Sequence, residues 1–385
     1  MSEPAGTPSG PARAPSAPAA AAEAPLQQLT ARARVVICAG PGGVGKTTAA
    51  AALALQVARQ GRRACVVTID PARRLADALG VEALTNEPHL VETGGTGAGE
   101  LWALMLDTKS TFDTLVRRYA PTPEQAGAIL DNRFYRNISS ALSGTQEYMA
   151  VEKLYELYED DRYDLIVVDT PPTRQALDFI DAPRRLIRFL NNRIFRLLMM
   201  PTRAGLRAMN VATQLFLRTV ARVVGGEVVQ EAVAFFTAFE GMEQGFRERT
   251  RRVEALLASD ETAFVLVTAP RAAATTEASF FADRLSEASL RVGAVVVNRV
   301  LPRFGPLSGE ARGKGAAGVM TSGWGALLSN LEELDRMAAS EDRHVRVVAQ
   351  RAGGAPVVCV PFLTDEVHDL TGLAEVGRHL FGAGG

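Results

Sequence analysis

The stretch "CAGPGGVGKTT", residues 38–48, decides the fold that the sequence predicts. It fits the pattern G-x-x-x-x-G-K-S/T, in which a glycine-rich loop joins a strand to a helix and its backbone N–H groups surround phosphate oxygens. An apolar run ends at Ala39, just before the loop, and the alanine-rich segment "TTAAAALALQVARQ" follows it. Strand, loop and helix therefore occur in the order that a nucleotide phosphate site needs.

The loop residues have distinct expected roles. The ammonium group of Lys46 would reach the β and γ phosphates, which makes it a candidate catalytic residue, and the hydroxyl of Thr47 would be a ligand of Mg²⁺. The residues expected to bind the nucleotide are Gly40, Gly42, Gly43, Val44, Gly45, Lys46, Thr47 and Thr48. A plain glycine turn is the alternative, and the register of strand, loop and helix argues against it.

Short apolar runs recur along the chain, and helical segments follow them. The seven candidate strands are 34–40, 64–70, 101–107, 164–170, 263–269, 292–298 and 356–361. This alternation is typical of a mostly parallel sheet with helices on both faces. The predicted fold class is therefore α/β, a P-loop NTPase fold with an added helical insertion.

Composition separates a tail from one domain. Residues 1–31 are rich in Ala and Pro and predict a disordered tail, and 32–381 are the expected P-loop domain. Apolar residues recur at helical spacing over 108–160 and 182–258, which predicts a helical subdomain within that domain.

Charge and cysteine content exclude several classes of function. The chain has 42 basic and 43 acidic residues, so its net charge does not favour nucleic acid as a partner. Cys38, Cys65 and Cys359 lie singly inside apolar runs, which predicts buried small side chains rather than metal ligands. No run of about 18 apolar residues indicates a transmembrane helix. These features favour a cytoplasmic protein.

Two aspartates end other predicted strands. Asp169 ends the apolar strand predicted in 164–170, where a carboxylate can hold Mg²⁺ through a water molecule. The alternative role is to cap the next turn. Asp70 ends the run in 64–70, where it can orient an attacking water, and the alternative is the N-cap of the next helix. Because ligands gather at the carboxyl ends of parallel strands, both side chains are expected beside the phosphate loop.

Five motifs, taken in order, resemble the ArsA-type ATPases, the family of the arsenite-pump ATPase and of the targeting factor for tail-anchored membrane proteins. They are "GPGGVGKTT", "TIDPARRLADALG", "VVDTPPTRQALDF", "VVVNRV" and "VPFLTDEVHDL", and the resemblance runs from about residue 34 to 381. It implies a deviant P-loop ATPase that binds ATP and Mg²⁺ and closes as a dimer around the nucleotide.

The resemblance also implies roles for single residues. Asp70 matches the switch I aspartate that positions water, and Asp169 begins the switch II stretch. Asn298 matches the asparagine that recognises adenine, although an ordinary turn residue is the alternative. Pro361 and Phe362 match the loop that covers the base.

Pro41 departs from the family pattern, which has lysine at this position. In the family that lysine contacts phosphate in the opposite subunit, and proline has no cationic side chain. The chain is therefore expected to form a homodimer, or a heterodimer with a lysine-bearing paralogue as in a bacterial branch of the family that it resembles more closely. A non-catalytic ATP-binding regulatory subunit is the alternative function.

Two other family properties are not expected here. No C-x-x-C pair follows Arg299, so the zinc site of eukaryotic targeting factors is not predicted. Arsenite binding is not predicted either, because the cysteines lie in candidate strands.

Residues 184–226 contain nine arginines and no acidic residue, interleaved with leucine, isoleucine, phenylalanine and methionine. One interpretation is a surface for a hydrophobic client helix or for anionic lipid, with the protein peripheral at the membrane. The other is a packed helical subdomain with a solvated basic face. A positioning ATPase that binds DNA or membrane through this stretch is a weaker third interpretation.

Overall fold

The structure, a computed structural model, describes residues 24–70, 72–93, 99–133, 135, 145–191, 226–238, 241–302 and 322–382. Within these residues the strands are β1 Val35–Ala39, β2 Arg63–Thr68, β3 His89–Val91, β4 Glu100–Met105, β5 Leu165–Asp169, β6 Thr262–Thr268, β7 Val292–Val300 and β8 Val357–Pro361. The helices are α1 Pro25–Arg32, α2 Lys46–Arg59, α3 Arg74–Leu79, α4 Thr108–Tyr119, α5 Pro123–Leu130, α6 Thr145–Glu159, α7 Thr173–Leu190, α8 Gly226–Ala238, α9 Glu243–Leu257, α10 Ala272–Glu287, α11 Ser322–Arg351 and α12 Leu370–Phe381.

The described strands form one eight-stranded sheet in the order β3-β4-β2-β5-β1-β6-β7-β8. All neighbouring pairs are parallel except β3 and β4, which are antiparallel. The predicted α/β class, with a mostly parallel sheet, is confirmed. The strand β3 was not predicted, because three residues at the sheet edge give no recognisable apolar pattern.

The sheet is apolar on both faces, as a parallel sheet between helices must be. Along β1, Val35 and Ile37 point into one core while Val36 and Cys38 point into the other. Helices α2, α3 and α12 supply side chains to the core that contains Val36, and α4 to α11 supply the other. The alanine-rich α2 is almost wholly buried, since its small side chains let a helix lie close to the central strands.

The tail predicted over 1–31 is too long by one helix. Helix α1 begins at Pro25, and its side chains Leu26 and Thr30 are buried. Leu29 approaches β7 so closely that a Cβ at Gly293 would lie 2.7 Å from Leu29 Cδ1. The burial of Leu26 contributes to the stability of this helix. Residues 1–23 lie outside the described part of the chain.

The segments predicted to be helical contain α4, α5, α6, α8 and α9. Helix α7 starts at Thr173 and continues through Pro183, so the helix at the predicted start of the insertion begins nine residues before position 182. Most of the arginine-rich stretch, residues 192–225, lies outside the described residues. The division into a separate subdomain stays a prediction.

One cysteine differs from its expected burial. Cys38 and Cys65 are buried, whereas Cys359 is exposed. It lies on β8, the last strand of the sheet, where the faces are covered less completely than in the centre. None of the described helices is long and apolar enough to cross a membrane.

An ion-pair network joins α6 to α9 in the interior. The guanidinium group of Arg249 donates to both Glu152 and Glu159 and lies 4.4 Å from the centroid of the Tyr155 ring. Arg249 and Glu152 are almost completely buried. Burial raises the pKa of Glu152, and the charge of Arg249 opposes that effect. Removing the cation would therefore leave a buried, unpaired carboxylate.

We predict that Arg249→Met lowers the free energy of unfolding by about 3–5 kcal/mol at pH 8. The loss should be smaller at pH 5, because a carboxyl group with a raised pKa can take up a proton as the pH falls. Denaturant unfolding at both pH values measures this. Arg252→Met, at an exposed position of the same helix, should change stability by no more than about 0.5 kcal/mol. A cost below about 1 kcal/mol for Arg249→Met at pH 8 would contradict the assigned role of the network.

Candidate functional site

The phosphate loop lies between the ends of β1, β6 and β7, and two of its glycines are required by close contacts. At Gly40, φ is +152° and a Cβ would lie 1.9 Å from the backbone oxygen of Val267 on β6. At Gly45, φ is +92° and a Cβ would lie 2.3 Å from Asn298 Nδ2. Any side chain at these positions would push the loop away from the sheet.

Asn298 holds the loop from the end of β7. Its Nδ2 donates a hydrogen bond to the carbonyl oxygen of Val44 at 2.9 Å, and its Oδ1 accepts one from the backbone N–H of Arg299 at 2.9 Å. The amide has a second N–H and a second lone pair that an adenine base could use. Recognition of adenine by Asn298 stays a prediction. The contact with the loop was not predicted, because nothing in the sequence links positions 44 and 298.

Lys46 points into the loop. It is 8% exposed, and its Nζ donates a hydrogen bond to the carbonyl oxygen of Pro41 at 2.9 Å. Burial lowers the pKa of Lys46, and the nearby carboxylate of Asp169 opposes this. The ammonium group thus has one weak neutral acceptor, and a phosphate oxygen would be a stronger one.

The carboxylate of Asp169 is the most buried charge at the site. Its Oδ2 accepts hydrogen bonds from Thr47 Oγ1 at 2.7 Å and from Thr68 Oγ1 at 3.0 Å. Its Oδ1 is buried and has no hydrogen-bond partner among the described residues. Burial raises the pKa of Asp169 to about 6, against the opposing effect of the two threonine hydroxyls. The side chain therefore carries a desolvation cost that the two threonine hydroxyls and Lys46 offset only in part.

These residues fit a magnesium ion. Thr47 and Asp169 offer hard oxygen atoms, and Asp169 Oδ1 accepts no hydrogen bond from the described residues. In nucleotide sites Mg²⁺ takes one or two protein ligands and completes its shell with phosphate and water. The described residues contain no cluster of three His, Cys, Asp or Glu side chains suited to a metal.

Asp70 lies on the same cleft but has local partners. Its Oδ1 accepts a hydrogen bond from the backbone N–H of Ala72 at 3.0 Å, and its Oδ2 is 3.3 Å from Arg74 Nη1. The hydrogen bond from Ala72 closes a local turn, whereas the N-cap of α3 is Arg73, so Asp70 is not the helix N-cap that sequence analysis gave as the alternative. These contacts leave the role in orienting water open, since the ion pair with the exposed Arg74 is weak. Arg74 was not predicted as a site residue.

Two clefts meet at Gly42 and Gly43. The smaller, of about 400 Å³, is lined by Lys46, Thr47, Asp70, Arg74 and Thr170 among others. The larger, of about 670 Å³, is lined by Pro41, Arg271, Glu277, Glu341, His344 and Phe362 among others. Pro361 ends β8 directly before Phe362, whose exposed ring borders the larger cleft. Arg299 lines both clefts.

Comparison with known proteins agrees with this geometry. Residues 33–305 match the family described as anion-transporting ATPases. The chain is 31% identical over 148 residues to ATPase GET3 of Malassezia globosa, which covers 38% of this chain and 42% of that protein. It is 31% identical over 277 residues to an uncharacterized protein of Streptomyces coelicolor, and the match covers 71% of this chain and 64% of that protein. It shares 26% identity over 266 residues with ATPase GET3A of Arabidopsis thaliana, and this match covers 69% of this chain and 67% of that protein. The first two relatives are therefore matched over less than two thirds of their length.

We predict that Asp169→Asn stabilises the ligand-free protein at pH 8 and has little effect at pH 4. The folded-state pKa of about 6 lies above the usual 3.8, so ionising this carboxyl costs stability as the pH rises from about 4 to 6. At about 1.4 kcal/mol for each pKa unit, the gain at pH 8 should approach 3 kcal/mol. Denaturant unfolding in EDTA measures it.

Asp164→Asn is the matched control, because the pKa of Asp164 is lowered, mainly by its hydrogen bond to Arg63. That substitution should destabilise the protein at pH 8, and the loss should shrink as the pH falls below the usual 3.8. If Asp169→Asn also destabilised it at pH 8, the carboxylate would be better compensated than its surroundings indicate.

Proposed function

The chain belongs to the family of anion-transporting ATPases, and on that premise we propose that it binds Mg·ATP at the loop between β1 and α2 and hydrolyses it. The observation that carries the proposal is the hydrogen-bonded pair Thr47 and Asp169, with an unpartnered carboxylate oxygen, next to the buried Lys46. Buried charges held this way are expected where a ligand supplies the missing partners.

Phosphate binding would use groups that already point at the cleft. The N-terminus of α2 and the loop N–H groups favour an anion. Lys46 Nζ would leave the Pro41 carbonyl, 2.9 Å away, for a phosphate oxygen. Thr47 and Asp169 would hold Mg²⁺, which supplies charge neutralisation at the β and γ phosphates when it is bound.

Asp70 is the candidate for positioning the attacking water. It lies on the cleft with Lys46 and Thr47, and its carboxylate would exchange the contact with Arg74 for the water molecule. A positioned carboxylate of this kind contributes about 100-fold or more to a rate. Asn298, Pro361 and Phe362 are the proposed adenine-binding residues, by the family resemblance.

The chain path after β5 supports the proposal of a conformational relay. Asp169 leads directly through Thr170, Pro171 and Pro172 into α7, and the hydroxyl of Thr170 donates to the carbonyl oxygen of Cys38 at 2.9 Å. Because α7 packs against α6 and α9, a change at the γ phosphate can be transmitted to these helices. We propose that this drives the opening and closing of a dimer, either of two copies or with a lysine-bearing paralogue.

The proposal that 184–226 handles a hydrophobic client or a membrane surface has mixed support. At its start, Arg184 pairs with Glu254 at 2.8 Å and Arg185 pairs with Asp178. Arg184 thus joins α7 to α9, as the alternative interpretation expects, whereas Arg185 pairs within α7 itself. The remaining part of the proposal depends on residues outside the described chain. A cytoplasmic location, with or without contact to a membrane, likewise stays a proposal.

Pro41 supports the second candidate function, an ATP-binding regulatory subunit that does not hydrolyse ATP alone. The side chain at this position lines the larger cleft and has no charge. A missing cation can reduce phosphoryl transfer by orders of magnitude. The two functions differ in turnover by the isolated chain and agree in ATP binding.

Steady-state hydrolysis of Mg·ATP by the purified chain distinguishes them. We expect turnover that Asp70→Asn lowers by about 100-fold with little change in ATP affinity, because the carboxylate would act on water rather than on the nucleotide. Asp77→Asn is the matched control, because Asp77 lines the same cleft and this substitution removes the same charge. It should change the rate less than about threefold. ATP binding without turnover would favour the regulatory subunit, and absence of ATP binding would contradict both.

A further inference from the structure

Arg299 has an unusual backbone at the end of β7. Its φ is +62°, a left-handed conformation shared among described non-glycine residues by Asp161 and Ser289. The pairing of β7 with β8 shifts at this point, because Asn298 pairs with Val360 and Val300 with Pro361. Arg299 is therefore the extra residue of a bulge, a device that re-aims a side chain at a sheet end.

Contacts on both sides hold the bulge in place. The backbone N–H of Arg299 donates to Asn298 Oδ1, and Asn298 Nδ2 donates to the carbonyl oxygen of Val44 in the phosphate loop. After the bulge, the backbone N–H of Phe362 donates to the carbonyl oxygen of Val300 at 2.9 Å. Arginine has no intrinsic preference for this conformation, and backbone strain of this kind persists where the surrounding structure imposes it, often at functional sites.

The bulge places the side chain of Arg299 where the two clefts meet. Arg299 lines the cleft of Lys46 and Thr47 and also the cleft of Pro41, on either side of Gly42 and Gly43. The side chain is exposed, so it can move between the two sides of the loop. A long arginine side chain at this position can reach a phosphate group bound by the loop.

The other cations of the phosphate cleft already have partners. Lys46 donates to the carbonyl oxygen of Pro41, and Arg74 pairs with Asp70. Glu277 and Glu341 line the larger cleft, but no ion pair within 4.0 Å joins Arg299 to an acidic side chain of the described chain. A guanidinium group offers five N–H donors in a planar fork that suits phosphate oxygens.

We infer that Arg299 binds the terminal phosphate of the nucleotide held by the same chain and supplies the cation that position 41 lacks. The inference rests on the proposed binding of ATP. This chain would thus carry its own second phosphate-binding cation, on β7 rather than in the glycine-rich loop. Arg299 would then stabilise the charge on the γ phosphate, and the bulge would keep its backbone beside the phosphate loop.

The test uses Arg299→Gly, which removes the charge and also suits the left-handed backbone, together with Arg299→Lys. The matched control is Arg271→Ala, since Arg271 is exposed and lines only the larger of the two clefts. Affinities of the full chain for Mg·ATP and Mg·ADP are measured by titration calorimetry, and thermal unfolding without nucleotide reports folding.

We expect Arg299→Gly to weaken Mg·ATP binding by about 10- to 100-fold and Mg·ADP binding by a smaller factor, because a charge-assisted hydrogen bond to the γ phosphate is lost. The unfolding temperature should equal or exceed that of the wild type, since glycine relieves the backbone. Arg299→Lys should retain part of the affinity, and Arg271→Ala should stay within about twofold of the wild type.

Equal ATP affinity in Arg299→Gly and the wild type would overturn the inference while leaving the proposed function intact. Equal losses in Arg299→Gly and Arg271→Ala would also overturn it, because they would indicate a general charge effect. A wild-type chain that binds no Mg·ATP would contradict the proposed function itself, and the inference with it.

Discussion

The hydrogen bond from Thr47 Oγ1 to Asp169 Oδ2, at 2.7 Å, is the interaction on which the site depends. It joins the first turn of α2 to the end of β5, and Thr68 extends it to β2. The carboxylate is 1% exposed and retains one unpartnered oxygen among the described residues. Ionising such a group costs free energy that the protein alone does not recover, so the arrangement favours a cation at this point.

The sheet topology explains why these groups meet. Strand β1 lies between β5 and β6, so the loop after β1 has Asp169 on one side and the end of β6 on the other. The loop approaches β6 and β7 so closely that Gly40 and Gly45 cannot carry side chains. The bulge at Arg299 adds a charged side chain at the same edge. Strand order and small residues at two contacts thus bring the residues proposed to bind the nucleotide and its metal ion to one edge of the sheet.

The sequence predicted those features that depend on local pattern. The apolar runs predicted seven strands of the sheet, and the spacing within residues 38–48 predicted that Lys46 and Thr47 lie beside the glycine-rich loop, where both line the smaller cleft. The contacts of Asn298 with Val44 and of Lys46 with Pro41 are matters of side-chain geometry that no spacing encodes. The order of α1 depends on burial of Leu26 by distant elements, and the exposure of Cys359 depends on β8 being an edge strand. Arg299 directly follows Asn298 in the sequence, which could have indicated a position near the site. Only the backbone conformation shows that it lies in a bulge.

The most direct test of this account is the effect of Mg²⁺ on ATP affinity in the wild type and in Thr47→Ala, measured by titration calorimetry with Mg²⁺ or with EDTA. The wild type should bind ATP more tightly with Mg²⁺ by a factor on the order of ten or more, since Thr47 and Asp169 would hold the ion beside the phosphates. Thr47→Ala should lose most of that gain and keep its affinity in EDTA. An equal gain from Mg²⁺ in both proteins would contradict the central claim that this buried pair holds the metal of the nucleotide.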